Sequence, residues 1–194
     1  MLTGARSFDV VVTVRSEEKG HRILRSIDKV LSEHVSFAVV QDVAANGAFD
    51  EVLLNSDPPF DYVVHTASPY QLRWEDPVRD CLDPAIKGTT GLLRSVHEHA
   101  PTVRRVVITS SSAAMLSPSK HPAVYDESCW CDLTLEQAQD PKYTYPASKV
   151  RQPAPLALHK PHLATRQTYC TVSYCRTDEC ARTRNSPSKR PGPF

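Results

Sequence analysis

The sequence predicts an α/β domain built on a parallel β-sheet, and three observations carry that reading. Short β-branched runs alternate with stretches of helical periodicity over roughly the first 110 positions, the order that covers a parallel sheet with crossover helices. The apolar runs are continuous rather than alternating, as in strands buried on both faces. The chain of 194 residues, 40% hydrophobic and 23% charged, is long enough for one core and too short for two comfortable ones.

The elements follow in order. Phe8 to Val14 reads as a strand, and Ile23, Leu24, Ile27, Val30 and Leu31 recur at helical spacing in an amphipathic helix from Glu17 to His34. Val35 to Gln41 is a second strand, stopping at Asp42. Phe49, Val52, Leu53 and Leu54 then form a short helix that ends at the breaker Asp57-Pro58-Pro59. Asp61 to Thr66 is a third strand, Pro77 to His99 a long helix, and Val103 to Thr109 a fourth strand. Ligands of such folds bind at the carboxyl ends of the strands, so Arg15, Asp42, Thr66 to Ser68 and Ser110 to Ser112 are the positions to read for function.

After Val150 the pattern stops. Residues 151–194 hold six prolines, one valine and no isoleucine, with no period of 3.6 or 2. They carry eight Lys/Arg against two Asp/Glu, a net +6, whereas residues 1–150 carry 15 against 20, a net −5. Two parts are therefore expected, a folded domain over 1–150 and a disordered Pro/Arg-rich tail over 151–194. The whole-chain charge of +1 gives no general attraction to nucleic acid or an anionic membrane surface, and the tail lacks interleaved aromatics. No apolar run reaches the roughly 20 residues of a membrane span, nor does the start read as a signal peptide, so a cytoplasmic chain is expected. Its six cysteines are then expected as thiols. Cys170, Cys175 and Cys180, with His159 and His162 upstream, lack the tight Cys-x2–4-Cys knuckles of a structural zinc site, so no metal is expected.

The sharpest chemical motif is Tyr145-Pro-Ala-Ser-Lys149, whose spacing of four puts a phenol and an ammonium on one helix face. A neighbouring Lys⁺ stabilises the phenolate and brings a weak acid closer to useful proton transfer near neutral pH. Pro146 is tolerable if the pair stands on a first helical turn. On its own the motif is weak, because a solvated Tyr and Lys on a helix are common. A second element is Thr109-Ser110-Ser111-Ser112 at a strand's carboxyl end, where a serine can hydrogen-bond a carbonyl and hold developing negative charge, or simply cap the turn. A third is Arg15-Ser16-Glu17-Glu18-Lys19. At this strand end of a dinucleotide fold an acidic residue selects the unphosphorylated ribose and an arginine accepts a 2′-phosphate, so Arg15 and Lys19 point to NADPH; an exposed, charged helix start is the plainer alternative.

Together these residues resemble the extended short-chain dehydrogenases of the NAD-dependent epimerase/dehydratase superfamily, in the branch of dihydroflavonol and cinnamoyl-CoA reductases and fungal aldehyde and ketone reductases. The resemblance runs through Val12-Thr13-Val14-Arg15-Ser16 with Lys19, Val64-His65-Thr66-Ala67-Ser68-Pro69, Ala85-Ile86-Lys87-Gly88-Thr89 and Arg105-Val106-Val107-Ile108-Thr109-Ser110-Ser111. It continues in Tyr125-Asp126-Glu127-Ser128-Cys129-Trp130 and ends at Tyr145-x-x-Ser148-Lys149. It implies a Rossmann-like doubly wound sheet, NADP(H) as cofactor, and reduction of a small-molecule aldehyde or ketone, as in ketoreductases of secondary metabolism. By the same resemblance Ser111, Tyr145 and Lys149 are the catalytic set, Lys149 also binding the nicotinamide ribose. Arg15 and Lys19 hold the 2′-phosphate, Asp42 and Val43 lie beside the adenine, and Thr66, Ala67 and Ser68 run along the middle of the cofactor.

Two departures set limits. Family members open with a strand, a Gly-x-x-Gly-x-x-Gly turn and a helix, whereas here Met1-Leu2-Thr3-Gly4-Ala5 resembles the start of that turn and Phe8 already opens the next strand. The backbone amides that hold a pyrophosphate have no counterpart in this stretch. After Lys149, Arg151-Gln152-Pro153-Ala154-Pro155 breaks the helix where the family continues into a substrate domain, as a shifted reading frame or retained intron would. The alternatives to an active reductase are accordingly an inactive remnant of one and a non-catalytic interaction protein. The sequence leaves substrate identity and oligomeric state open.

Overall fold

The structure, a computed structural model, describes residues 8–71, 73–126 and 129–151. In chain order it contains β1 (Val10–Val14), α1 (Glu17–Ser26), α2 (Lys29–Ser32), β2 (Val35–Val39), α3 (Asp50–Leu54), β3 (Tyr62–His65), α4 (Asp83–His99), β4 (Arg105–Ile108) and α5 (Pro141–Arg151). Single 3₁₀ turns occur at Ser112–Ala114 and Gln137–Gln139.

The predicted alternation is present, with two local differences. The helix expected over 17–34 is two helices, because Ile27 is extended (φ −89°, ψ 147°) and the Asp28 carboxylate accepts a hydrogen bond from the Val30 amide at 2.9 Å, capping a new start. The long helix is wound as a π-helical turn over Val78–Leu82 before becoming regular at Asp83. Pro84 cannot donate to the carbonyl of residue 80, and the Asp83 amide bonds instead to the Val78 carbonyl five residues back. Asp76 starts this segment by accepting from the amides of Val78 and Arg79, both at 3.0 Å.

All strand pairing among the described residues is parallel, but it forms two separate pairs rather than one sheet. β1 pairs with β2 from Val10 opposite Val35 to Val14 opposite Val39, and β3 pairs with β4 from Tyr62 opposite Arg105 to His65 opposite Ile108. In the doubly wound strand order 3-2-1-4-5, the strand of the first βα unit lies between two such pairs. With β1 and β2 in the second and third places and β3 and β4 in the fourth and fifth, that central strand is the position not filled among the described residues. Apolar side chains stand uncovered on both pairs, including Val10 at 45% exposure and Val64 at 65%.

The core has two centres. Val40, Phe49, Leu53, Leu92 and Ala100 join the end of β2, α3 and α4, with Val43 and Val63 packed against them. Leu82, Cys131, Leu133, Ala138 and Ala147 form a second cluster beneath α5. The β1–α1–β2 unit is closed by the ring of Phe37, which lies so near Gly20 that a Cβ there would sit 2.4 Å from it. No described helix is long and apolar enough to cross a membrane, and no group of three or more His, Cys, Asp or Glu side chains among the described residues could hold a metal ion. The expected tail, with Cys170, Cys175 and Cys180, lies outside the described residues.

Candidate active site

Asp140 starts α5. Its carboxylate accepts from the Lys142 amide at 2.9 Å and its carbonyl from the amides of Tyr143 and Thr144 at 2.8 and 3.1 Å, while Pro141 supplies a first helical residue that needs no amide proton. The Thr144 hydroxyl lies 2.9 Å from the Ala138 carbonyl and 3.0 Å from that of Asp140, fixing the first turn to the preceding segment. The helix begins at Pro141, so Pro146 lies inside it, a turn later than the sequence suggests, and no proline amide is there to bond the Lys142 carbonyl. Ala147 is buried against Leu82, Cys131, Leu133 and Ala138, which anchors the helix despite that missing bond.

This anchoring turns Tyr145 and Lys149 into one local environment. The Lys149 Nζ stands over the Tyr145 ring, 5.5 Å from its centroid, and Tyr70 meets the same ring edge-on at 5.0 Å. Tyr145 is half-buried, whereas Lys149 is only 4% exposed and has no carboxylate partner among the described residues. Burial pulls its pKa below the ordinary lysine value, opposed by the Cys81 thiol. Cys81 is fully buried; burial pushes its pKa up, while a hydrogen bond with Ser148 and the Lys149 charge pull it down. The Ser148 hydroxyl in turn donates to the Tyr145 carbonyl at 2.7 Å.

The 3₁₀ turn that follows Ser111 packs on α5. Ser111 caps that turn: its Oγ accepts from the Ala113 amide at 3.2 Å, which leaves its own proton available to donate. The Ala114 carbonyl accepts from the Cys131 amide at 2.8 Å, tying the serine loop to the segment before α5. Beyond β3, Thr66 and Ala67 are exposed, and the Ser68 Oγ is buried without a hydrogen-bond partner. A buried hydroxyl without a partner at the carboxyl end of a strand fits a group that a polar ligand would bond.

Arg15 and Lys19 lie at the carboxyl end of β1, on the other strand pair. Both are exposed and neither joins an ion pair among the described residues; Ser16 caps α1 by accepting from the Lys19 amide at 3.4 Å. Asp42 opens the turn after β2, its carboxylate accepting from the Ala44 amide at 2.9 Å. Val43 packs on Gly88 of α4, where an added Cβ would come within 3.3 Å of it. The expected positions therefore form two clusters, Ser111, Tyr145 and Lys149 around α5 and Arg15, Lys19, Asp42 and Val43 around the ends of β1 and β2. Sequence reading gave no role to Tyr70, Cys81 or Thr89. His65 entered it only within a matching motif, although a lone histidine closing an apolar strand was a signal in plain view.

No protein-family model matches the chain. Among curated proteins it is 50% identical over 143 residues to the ketoreductase azaE of Aspergillus niger, covering 74% of this chain and 42% of that protein. It is 34% identical over 147 residues to the NADPH-dependent methylglyoxal reductase GRE2 of Saccharomyces cerevisiae, covering 73% and 42%. Among solved structures, that of Gre2 from Candida albicans in complex with NADPH superposes with a TM-score of 0.72 at 29% identity over 81% of this chain and 48% of that one. Yeast Gre2 complexed with NADPH gives 0.70 at 32% identity over 76% and 44%. The chain thus spans less than half the length of the relatives it matches. Parallel α/β topology, the Tyr145/Lys149 pair on α5 and these likenesses agree: the chain belongs to the extended short-chain dehydrogenase/reductase superfamily.

Proposed function

We propose that the chain is the cofactor- and carbonyl-binding part of an NADPH-dependent reductase that converts a small or medium aldehyde or ketone to an alcohol, in the cytoplasm and in secondary metabolism. The observation that carries this reading is a nearly buried lysine, unpaired by any described carboxylate, standing over a half-buried tyrosine at the carboxyl end of a parallel strand pair. The family relation supports it. NADPH, when bound, supplies the hydride. Tyr145 donates a proton to the carbonyl oxygen, and the charge left on its phenolate faces the Lys149 ammonium in a site where burial strengthens their attraction. Ser111 donates a hydrogen bond to the same oxygen. Lys149 also serves the nicotinamide ribose. Arg15 and Lys19, exposed and unpaired among the described residues, hold the 2′-phosphate; Asp42 and Val43 lie along the adenine; Thr66, Ala67 and Ser68 line the middle, where the Ser68 hydroxyl gains its missing partner. Residues 1–150 form the dinucleotide-binding unit, and 151–194 a tail without a part in the chemistry.

The separation of the strands into two pairs favours a second reading, an inactive remnant or an interaction protein that retains the family's residues without a closed cofactor cleft. Following consumption of reduced nicotinamide over a panel of aldehydes and ketones tests the first against the second. We expect turnover with NADPH that falls at least about 100-fold in Tyr145→Phe with the fold intact. Turnover that survives this change overturns the assignment of the proton donor.

A further inference from the structure

His65 closes β3 and has no place in the chemistry above, yet it borders the turn ending at Phe49 and the segments at 66–68 and 109–111 that this chemistry uses. Its ring is 5% exposed, and its Nε2 lies 3.1 Å from the hydroxyl of Thr89, a wholly buried residue of α4. The same ring stands edge-on to Phe49, 6.4 Å between centroids, and Phe49 ends the turn that begins at Asp42 and Val43. Its carbonyl accepts from the Thr109 amide at 2.9 Å, immediately before Ser110 and Ser111. Thr66 to Ser68 follow it directly in the chain.

A buried imidazole bonded to a buried hydroxyl is a directional contact in an apolar setting. An aliphatic residue at 65 would fill the space but leave the Thr89 hydroxyl without a partner. Burial and the nearby Lys149 charge keep the ring neutral, so one nitrogen carries the proton and the other a lone pair, and the ring adds no second cation beside the lysine.

We propose that His65 is a positioning residue, whose hydrogen bond to Thr89 holds the 66–68 and 110–111 loops at a fixed place on α4. The functional weight of those loops rests on the reductase reading given above, whereas the positioning itself does not. The test is amide hydrogen exchange at Thr109 in the full chain without cofactor, compared across four single variants and one double variant, His65→Phe with Thr89→Val. His65→Phe keeps a ring against Phe49 and cannot bond Thr89; Thr89→Val removes the hydroxyl with little change of shape; His65→Gln and Thr89→Ser each retain a hydrogen-bonding group. We expect about tenfold faster exchange at Thr109 in His65→Phe and in Thr89→Val, no further increase in the double variant, and recovery to within about threefold of the parent in the other two. Amides of β1 and α1 should not change. Unaltered Thr109 exchange in Thr89→Val, or an equal rise at Thr109 and throughout β1 and α1, overturns the proposal. NADPH affinity, measured on the same proteins, should weaken about tenfold in the first two variants only. A parent chain that binds no NADPH defeats the reductase reading, while the exchange result still decides the role of His65.

Discussion

The two strand pairs of this protein carry different parts of the proposed cofactor site and are built to different standards. The β1–α1–β2 unit, which offers Arg15 and Lys19, has Val14 as its one buried hydrophobic residue between positions 8 and 39, with Gly20 packed closely on Phe37. The half formed by β3, β4, α4 and α5 buries Cys81, Leu82, Ala85, Leu92, Ala138 and Ala147, and places Thr89, Thr144, Ser148 and Lys149 among them. The lesson concerns preorganisation. The residues proposed to handle the proton stand on a helix whose position is fixed by packing, so their geometry exists without ligand. The cations proposed to hold the 2′-phosphate stand exposed on a thinly buried unit, where ligand binding would have to supply more of the order.

Three perturbations would break or sharpen this contrast. The largest is pH. Burial, with the Lys149 charge second, lowers the His65 pKa from 6.5 to about 4. The unfolded chain therefore takes up a proton below about pH 6.5 that the folded chain refuses until about pH 4. The stability His65 contributes is fully present above pH 6.5 and is lost as pH falls to 4, by about 3 kcal/mol. Urea titrations across this range should show the loss, and His65→Gln should flatten it. A stability that stays constant from pH 6.5 to 4 contradicts the buried, neutral ring.

Next is Ala147→Leu. At 1% exposure in the cluster beneath α5, the added volume forces strain of about 1–3 kcal/mol, read as a lower thermal midpoint with cooperative melting. The smallest is Gly20→Ala, whose methyl must displace the Phe37 ring at a cost of about 1 kcal/mol. Because the β1–α1–β2 unit is thinly packed, this cost should emerge as faster exchange of β1 and β2 amides with α5 unchanged. Equal loosening of α5 would mean that the two halves are one cooperative unit.

Much of this was legible in local sequence. The alternation of β-branched runs and amphipathic stretches gave the strands to within a few residues, and the four-residue spacing of Tyr145 and Lys149 gave their shared environment. What local pattern could not supply lies in contacts between distant positions. His65 meets Thr89 across 24 residues, Tyr70 reaches Tyr145 from another loop, and Cys81 sits by Lys149. The break at Asp28 and the π-helical turn before Pro84 are decided by one carboxylate and one missing amide, too little to disturb a hydrophobic period. The split of the strands into two pairs agrees with the family's opening strand having no counterpart before Phe8, although the pairing itself is set by long-range contacts that no single strand encodes.

The central claim is that these two halves together bind a reduced, 2′-phosphorylated nicotinamide cofactor. It is tested most directly by titrating NADPH against the full chain and following nicotinamide fluorescence. A saturable change, weakened about tenfold in Arg15→Ala while any binding of NADH is little altered, is the predicted result. No saturation up to millimolar NADPH contradicts the account.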